Sequence, residues 1–485
     1  MQVLDWLLTN TTTVSGWIWG LPMIVLLFGT GLLLTAMTRF VQIRHLGSSI
    51  RQILKGPRAE TRDQKRSQGD ITPFQALMTA LSATVGNGNI AGVATAIAAG
   101  GPGAAFWMWV TAVFGMATKY SEAVLAILFR RRMRDGTMAG GPMYYCRDGV
   151  RGQLGFVLGG IFAVCGAATA LLGTGNMFQS QSMAMAVREQ FGTPQWATGL
   201  VMSLLVGLVI IGGIRRIGAV AERLVPVMII FYFSGALLVI ISNISLVPDA
   251  FRLIVVSAFS PEAVFGGGVG IGVQQAMRFG VARGVLSNES GLGSAAIAHG
   301  AARTRYPVVQ GGIAMMGTFI DTIIVCTLTA LAITVSGAYR SASFLVEDGL
   351  RGADLTVHAF AVGMPDWTGG WGGLVVAFAS LIFGFTTLIG WSYYGQICCE
   401  YLFGLKVVKP YRVLFVVLLF AGALLTGRYS SIITNVGDIC NAAMAFPNLI
   451  ALILLSRRVA DVTQETYVAG DPYAARVPKL PDPIG

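Results

Sequence analysis

The sequence predicts an all-α polytopic membrane protein with eleven transmembrane helices. Three observations predict it. The 485 residues are 54% hydrophobic and only 12% charged, with a mean hydropathy of +0.68, whereas soluble domains carry about 25% charged residues. Apolar stretches recur that are long enough to cross roughly 30 Å of hydrocarbon, which takes about 20 residues. Lysine and arginine fall on alternate loops between them. The opening "MQVLDWLLTNTTTVSGWIWG" has no basic segment before its first apolar run, so it does not read as a cleaved signal peptide. No soluble domain of useful size fits between the apolar runs.

The first span covers about 18–40. The loop after it carries Arg44, Arg51, Lys55, Arg58, Arg62, Lys65 and Arg66, and its part "RAETRDQKRSQGD" (58–70) reads as a solvated linker. Spans at about 72–98 and 103–129 come next, followed by Arg130, Arg131, Arg132, Arg134, Arg147 and Arg151. Spans 155–187 and 196–214 lead to Arg215 and Arg216, and spans 222–243 and 265–286 to Arg303 and Arg305. Spans 307–336 and 371–397 lead to Lys406 and Lys409, and spans 409–427 and 432–456 to Arg457 and Arg458. The opposite loops hold only Arg188, Arg252, Arg340, Arg351 and Arg428. That bias predicts an N-terminus outside and a C-terminus in the cytosol, as an odd number of spans requires. The net charge of +11 is then topology and contact with anionic lipid, with no nucleic-acid patch. The proline-rich end beyond about 459, "GDPYAARVPKLPDPIG", is expected to be a disordered cytosolic tail.

Catalysis is not expected. Six cysteines (Cys146, Cys165, Cys326, Cys398, Cys399, Cys440) show neither metal spacing nor a disulfide framework. Three histidines, His45, His299 and His358, fall in loops or at loop edges and form no nucleophile–base constellation. No enzyme, catalytic residue or catalytic metal follows.

Two spans contain helix breakers. "LSATVGNGNIAG" (81–92) interrupts the second, and "QQAMRFGVARGVLSNESGLGS" (274–294) interrupts the seventh, with Gly280, Gly284, Gly291 and Gly293 among the charges Arg278, Arg283 and Glu289. Glycine costs about 1 kcal/mol against alanine inside a helix. The two interruptions lie five spans apart, so spans 2–6 and 7–11 form two halves that each open on a broken helix. An odd repeat length makes the halves run in opposite senses, the inverted-repeat pattern that points to a binding site at the membrane midplane. The segments are then 1–71 (extra helix and basic loop), 72–243 and 265–456 (the two repeats), and 457–485 (tail). Unwound backbone in a bilayer must face a cavity or buried protein. Its freed N–H groups suit a carboxylate and its freed C=O groups a cation such as Na⁺. Clusters of packing glycines are the competing explanation of each interruption.

Other intramembrane polar residues are weighed against structural roles. In the ninth span, "FGFTTLIGWSYYGQ" (383–396) offers the hydroxyls of Thr386 and Thr387, with Trp391 one turn on from Thr387; threonine pairs also simply bond back to the preceding turn. Lys119 and Glu122, spaced i, i+3, are expected to form a structural pair. Arg278 and Glu289 fit gates or ordinary networks equally. Asp321 and Asp438 are expected to be structural, and are the candidates for proton coupling if the ion is H⁺.

"GDITPFQALMTALSATVGNGNIAGVATAIAAGGPGAAFWMWVTAVFGMATKYSEAVLA", "GTMAGGPMYYCRDGV" and "MRFGVARGVLSNESGLGSAAIAHGAA" resemble the alanine or glycine:cation symporter family over about residues 18–456. The resemblance implies the leucine-transporter-type 5+5 inverted repeat with one extra N-terminal helix. It also implies sodium- or proton-coupled uptake of small neutral amino acids across a bacterial or archaeal inner membrane. Asn87, Gly88 and Asn89 match the family's carboxylate-binding turn, although the family often has Thr where this chain has Asn87. Gln179 in "NMFQSQS" matches a substrate-facing segment. Phe279 and Gly280 match the residues whose backbone carbonyls receive the ammonium, and Thr387 and Trp391 match side chains that line the pocket. By analogy with the wider fold, the carbonyls of Ser82 and Val85 and the hydroxyls of Thr386 and Thr387 would hold sodium, an all-oxygen set of the kind a hard cation requires.

The expected function is therefore alternating-access symport of alanine or glycine with Na⁺, the coupling ion, in the lipid bilayer, with a monomer as the simplest unit. Proton coupling on the same fold and an amino-acid-binding membrane sensor are the alternatives. An appended signalling domain would support the sensor, and none is visible.

Overall fold

The computed structural model describes residues 2–55, 67–259, 272–342, 349–350, 352–425 and 427–469. Most of the expected linker at 58–70, the start of the 265–286 span, Arg351 and residues 470–485 lie outside the described residues.

Helices α1 (Gln2–Ile18) and α2 (Leu21–Met37) meet at Trp19 and Gly20, with Pro22 in the first turn of α2. The helical run thus begins well before the expected first span at 18–40. Two short helices, α3 (Val41–Arg44) and α4 (Leu46–Leu54), follow. α5 (Pro73–Thr84) starts with a capping box: Thr72 Oγ1 accepts from the Gln75 N–H at 3.1 Å and Gln75 Oε1 from the Thr72 N–H at 3.0 Å. It ends at the first break. A π-helical turn (Gly88–Gly92) then leads into α6 (Val93–Gly100).

α7 (Gly103–Leu128) is the central strut, packed on α2 and on three helices of the second half described below. The arginine-rich loop after it folds into a small hairpin, β1 (Arg131–Arg132) against β2 (Met138–Ala139), before α8 (Pro142–Gly149). The expected span at 155–187 is two helices, α9 (Gln153–Leu172) and α10 (Met177–Phe191), split at "GTGN" (173–176). α11 (Gln195–Ile210), α12 (Gly213–Ser242) and α13 (Val247–Ser257) complete this half.

α14 (Val273–Asn288) and α15 (Ser294–Gly300) flank the second break. α16 (Pro307–Thr318) and α17 (Thr327–Val335) are joined by a π-helical stretch, Phe319–Cys326. α18 (Gly352–Gly363), α19 (Gly372–Phe403), α20 (Val408–Ala423), α21 (Gly427–Leu454) and α22 (Ser456–Ala469) follow. The three helices on the strut are α14, α15 and α16. The start of the expected tail is thus a helix: Val459 and Thr463 are fully buried, and Thr463 Oγ1 lies 2.9 Å from the Tyr120 hydroxyl of α7.

Among the described residues, six helical runs are long and apolar enough to cross a membrane: Asp5–Met37, Gln153–Arg188, Gly213–Ser242, Pro307–Val335, Gly372–Phe403 and Ser431–Leu454. Of the other expected spans, α7 is one continuous helix of 26 residues that carries Lys119 and Glu122, and α5 with α6, α11, α14 and α20 are shorter or interrupted helices. The polarity is that of a bilayer protein. Phe156, Leu204, Ile230 and Val413 point outward, while Lys119, Glu122, Asp321 and Asn448 are buried.

Candidate functional site

The first break replaces helical hydrogen bonds with side-chain ones. Val85 is extended (ψ 93°), and the Gly86 N–H, which would close the helix onto Ser82, donates to Asn89 Oδ1 at 2.9 Å. The Asn89 N–H donates to the Gly86 carbonyl at 3.0 Å and not to that of Val85. The carbonyls of Ser82 and Val85 therefore lose their helical partners, as a cation site in a broken helix requires. Opposite stands Thr387 of α19. Its Oγ1 is buried without a hydrogen-bond partner, and a Cβ on Gly86 would lie 2.5 Å from it. An unpaired buried hydroxyl is costly, and this one lies against the unwound backbone at Gly86. Thr386, the other hydroxyl expected to hold sodium, is turned elsewhere: it bonds back to the carbonyls of Ile382 (3.1 Å) and Phe383 (3.0 Å) and faces Met228 of α12. Ser82 and Val85 are not among the residues that line the cavity described below.

The second break lies further along than the glycine pattern suggested. Gly280 and Gly284 sit inside unbroken α14 and pack on α7, where a Cβ on Gly280 would meet the Ala104 carbonyl at 2.3 Å. The chain leaves the helix only at Glu289 (φ 56°), Gly291 (φ 89°) and Gly293 (φ 81°), all left-handed. The carbonyls of Phe279 and Gly280 thus belong to a continuous helix, away from the break, and neither residue lines the cavity.

That cavity has a volume of about 260 Å³ and lies where the two broken helices meet α10, α19 and α21. Five of the expected substrate residues come together: Asn87, Gly88, Gln179, Thr387 and Trp391. Asn87 does not stand free in it. Its Nδ2 donates to Gln179 Oε1 at 3.0 Å and its Oδ1 accepts from Ser380 Oγ at 2.7 Å, tying α10 to α19 across the break. Trp391 packs over Gly175 at the split between α9 and α10, edge-on to Tyr394. Asn89 points away from the cavity. Its Nδ2 donates to Asp321 Oδ1 at 2.6 Å, while Ser287 Oγ (3.0 Å) and Thr322 Oγ1 (2.8 Å) donate to Asp321 Oδ2. Asp321 is thus the node joining both breaks to the π-helical stretch.

Several participants were not anticipated as lining groups. Ser287, Arg283, Glu289 and Asp438 face the cavity. Glu289 accepts from Ser294 Oγ at 2.5 Å, while Arg278 turns to α1 and donates to the Gly16 carbonyl at 3.1 Å, so the two do not form a gate pair. Nor do Lys119 and Glu122 pair with each other. Each bonds to the second break, Lys119 to the Asn288 carbonyl and Glu122 to the N–H groups of Gly291 and Gly293. The "GTGN" split carried a readable glycine signal. The π-helical stretch around Asp321 carried none.

Comparison with known proteins gives a consistent picture. The model of the sodium:alanine symporter family matches residues 4–472. The sodium/alanine symporter AgcS of Methanococcus maripaludis is 47% identical over 453 residues, 93% of this chain and 95% of its own. An uncharacterized transporter of Haemophilus influenzae is 45% identical over 456 residues, 94% of this chain and 95% of its own. The probable sodium/glutamine symporter GlnT of Bacillus subtilis is 35% identical over 461 residues, 94% of this chain and 90% of its own.

Proposed function

This chain belongs to the sodium:alanine symporter family, a family of membrane carriers and not of enzymes, and we propose that it couples the uptake of a small neutral amino acid, alanine or glycine, to sodium. The observation that carries the proposal is the cavity of about 260 Å³ bounded by both broken helices, with the unpartnered Thr387 hydroxyl against the unwound turn at Gly86. The arrangement we propose has eleven spans in two inverted five-helix halves, with the N-terminus outside and the C-terminus in the cytosol. Solute and ion bind between the breaks, and one bundle rocks against the rest.

In this reading the carboxylate sits against the first break. The N–H of Asn87 has no backbone acceptor among the described residues, and the amide side chains of Asn87 and Gln179 close the floor. The ammonium goes to the second-break side, where Ser287 and Glu289 offer oxygens, in place of the carbonyls of Phe279 and Gly280. Trp391 walls off the side chain. Sodium takes the carbonyls of Ser82 and Val85 and the Thr387 hydroxyl, all oxygens. The same site supports a sensor no better, since freed backbone on both sides of one cavity suits a solute that enters from one side and leaves by the other.

The decisive experiment is uptake of radiolabelled alanine, glycine, serine and glutamine into proteoliposomes under an imposed Na⁺ or H⁺ gradient. Accumulation driven by inward Na⁺ is the expected result. Accumulation driven by H⁺ alone would replace sodium with a proton, and saturable binding without accumulation would make the protein a sensor.

A further inference from the structure

Two buried polar side chains on the strut bond to the second break. Lys119 and Glu122 lie on one face of α7, essentially inaccessible to solvent, and among the described residues neither makes an ion pair. Lys119 Nζ donates to the carbonyl of Asn288, the last residue of α14, at 2.6 Å. Glu122 Oε1 accepts from the N–H of Gly291 at 3.0 Å and of Gly293 at 3.1 Å. The third donor to the same oxygen is Asn448 Nδ2 of α21 at 2.8 Å, which also reaches the Gly291 carbonyl at 2.9 Å. A helix that stops inside a bilayer leaves carbonyls at one end and N–H groups at the other without partners, and lipid supplies none. Here an ammonium donates to the freed carbonyl and a carboxyl oxygen accepts from the freed N–H groups. The two clamp points bracket Glu289, and Ser287 precedes them directly; both of these side chains line the cavity.

We propose that Lys119 and Glu122 are positioning residues: without touching solute or ion, they fix the backbone of Asn288–Gly293 so that Ser287 and Glu289 face the cavity in binding geometry. The assignment rests on the reading of that cavity as the transport site. It treats Glu122 as a hydrogen-bond acceptor for a loop. A proton carrier or an ion-pair partner of Lys119 would need its charge. Glutamine keeps the accepting oxygen and discards the charge, so the two roles separate in one substitution.

The test is saturable alanine uptake by the full-length chain in proteoliposomes. The alanine concentration for half-maximal uptake is compared with the maximal rate, and the folded amount is checked by size exclusion and thermal unfolding. Glu122→Gln is expected to keep the half-saturation concentration within about threefold of wild type, and Glu122→Ala to raise it by about tenfold, since Gly291, Gly293 and Asn448 then lose the oxygen they share. A purely structural role would lower the folded amount and maximal rate and leave half-saturation where it was. Lys119→Met is expected to move half-saturation in the same direction as Glu122→Ala. Where Glu122→Ala does not fold, Asn448→Ala removes one tie to the same oxygen and no charge, with an expected rise of about threefold. Glu122→Gln as defective as Glu122→Ala would overturn the assignment, as would unmoved half-saturation in Glu122→Ala, or in Asn448→Ala where the former does not fold. Absence of saturable uptake by the wild type would overturn the transport reading and this assignment with it.

Discussion

At the residue scale, the demanding positions are Gly86 and Thr387, and the sequence identified only the second. "VGNGN" drew attention to Gly88, yet a Cβ there would meet Ser287 at an ordinary 3.6 Å, whereas one on Gly86 would meet Thr387 Oγ1 at 2.5 Å. Sequence shows which residues are small and not which of them faces a neighbouring helix. The same limit made Thr386 and Thr387 look equivalent: adjacent residues of a helix point about 100° apart, so one hydroxyl faces the break and the other bonds back to its own helix. Thr387→Val preserves shape and removes the oxygen, so the Na⁺ concentration for half-maximal uptake is expected to rise about fivefold, the worth of one neutral polar contact. Thr386→Val is expected to leave it unchanged. Equal effects of the two substitutions would take sodium away from this position. Trp391 gives a second prediction, on size. Its ring packs over Gly175 and faces the cavity, so Trp391→Ala is expected to admit longer neutral side chains. The gain should grow by up to about 0.8 kcal/mol per added CH₂. Competition by alanine, 2-aminobutyrate and norvaline measures it, and a uniform loss across the three would mean that Trp391 is no wall.

At the element scale, the first break was legible and the second was displaced. Gly86, Asn87, Gly88 and Asn89 are poor helix formers in succession, and the structure unwinds at Val85 and Gly86. In 274–294 the glycines at 280 and 284 are spaced for close helix packing, and α14 runs through them against α7. The turn forms only where three left-handed residues in a five-residue stretch make helix untenable. Periodicity alone does not separate a packing glycine from a breaking one, because the distinction lies in the partner helix. The π-helical stretch around Asp321 is written in ordinary apolar residues, and it forms where a buried carboxylate collects donors from Asn89, Ser287 and Thr322. The first break yields a prediction about ligand charge. If freed N–H groups near Asn87 hold the carboxylate, alaninamide should compete with alanine at least roughly tenfold more weakly at fixed Na⁺, since a hydrogen bond to a charged group is worth about 1.5–3 kcal/mol. Gly88→Val should abolish binding in a folded carrier, because the added methyls enter the cavity. Equal affinity for amide and acid would assign the break another task.

At the scale of the whole molecule, hydropathy was enough to read a helical membrane protein with long apolar helices, while α1 and α22 escaped notice because neither forms a long apolar run of its own. α22 is amphipathic, and its apolar face is explained only by its partners α2, α7 and α16. The most consequential long-range contact is one no local pattern contains. The segment entering the first broken helix is zipped to the segment leaving the second: the Asp70 N–H donates to the Ala301 carbonyl at 2.9 Å and the Arg303 N–H to the Ile71 carbonyl at 2.7 Å. Arg130, at the end of α7, is buried behind this seam and donates to the carbonyls of Gln68 (3.1 Å), Ala302 (2.5 Å) and Thr304. In the proposed orientation the seam closes the cytosolic side, and alternating access requires it to part. Ile71, Ala301 and Ala302 of the seam are buried in the core, and the guanidinium adds bonds that bridge carbonyls from both segments. Arg130→Met removes those bonds at nearly constant bulk. It should shift the carrier towards the cytosol-open state: a cysteine introduced by Ala302→Cys should be labelled several-fold faster from the cytosolic side, with maximal uptake reduced. Saturating Na⁺, which binds in the closed site, should slow that labelling again by mass action on the closed form. Labelling that is indifferent both to Arg130→Met and to Na⁺ would leave the seam a static joint and move the cytosolic gate elsewhere.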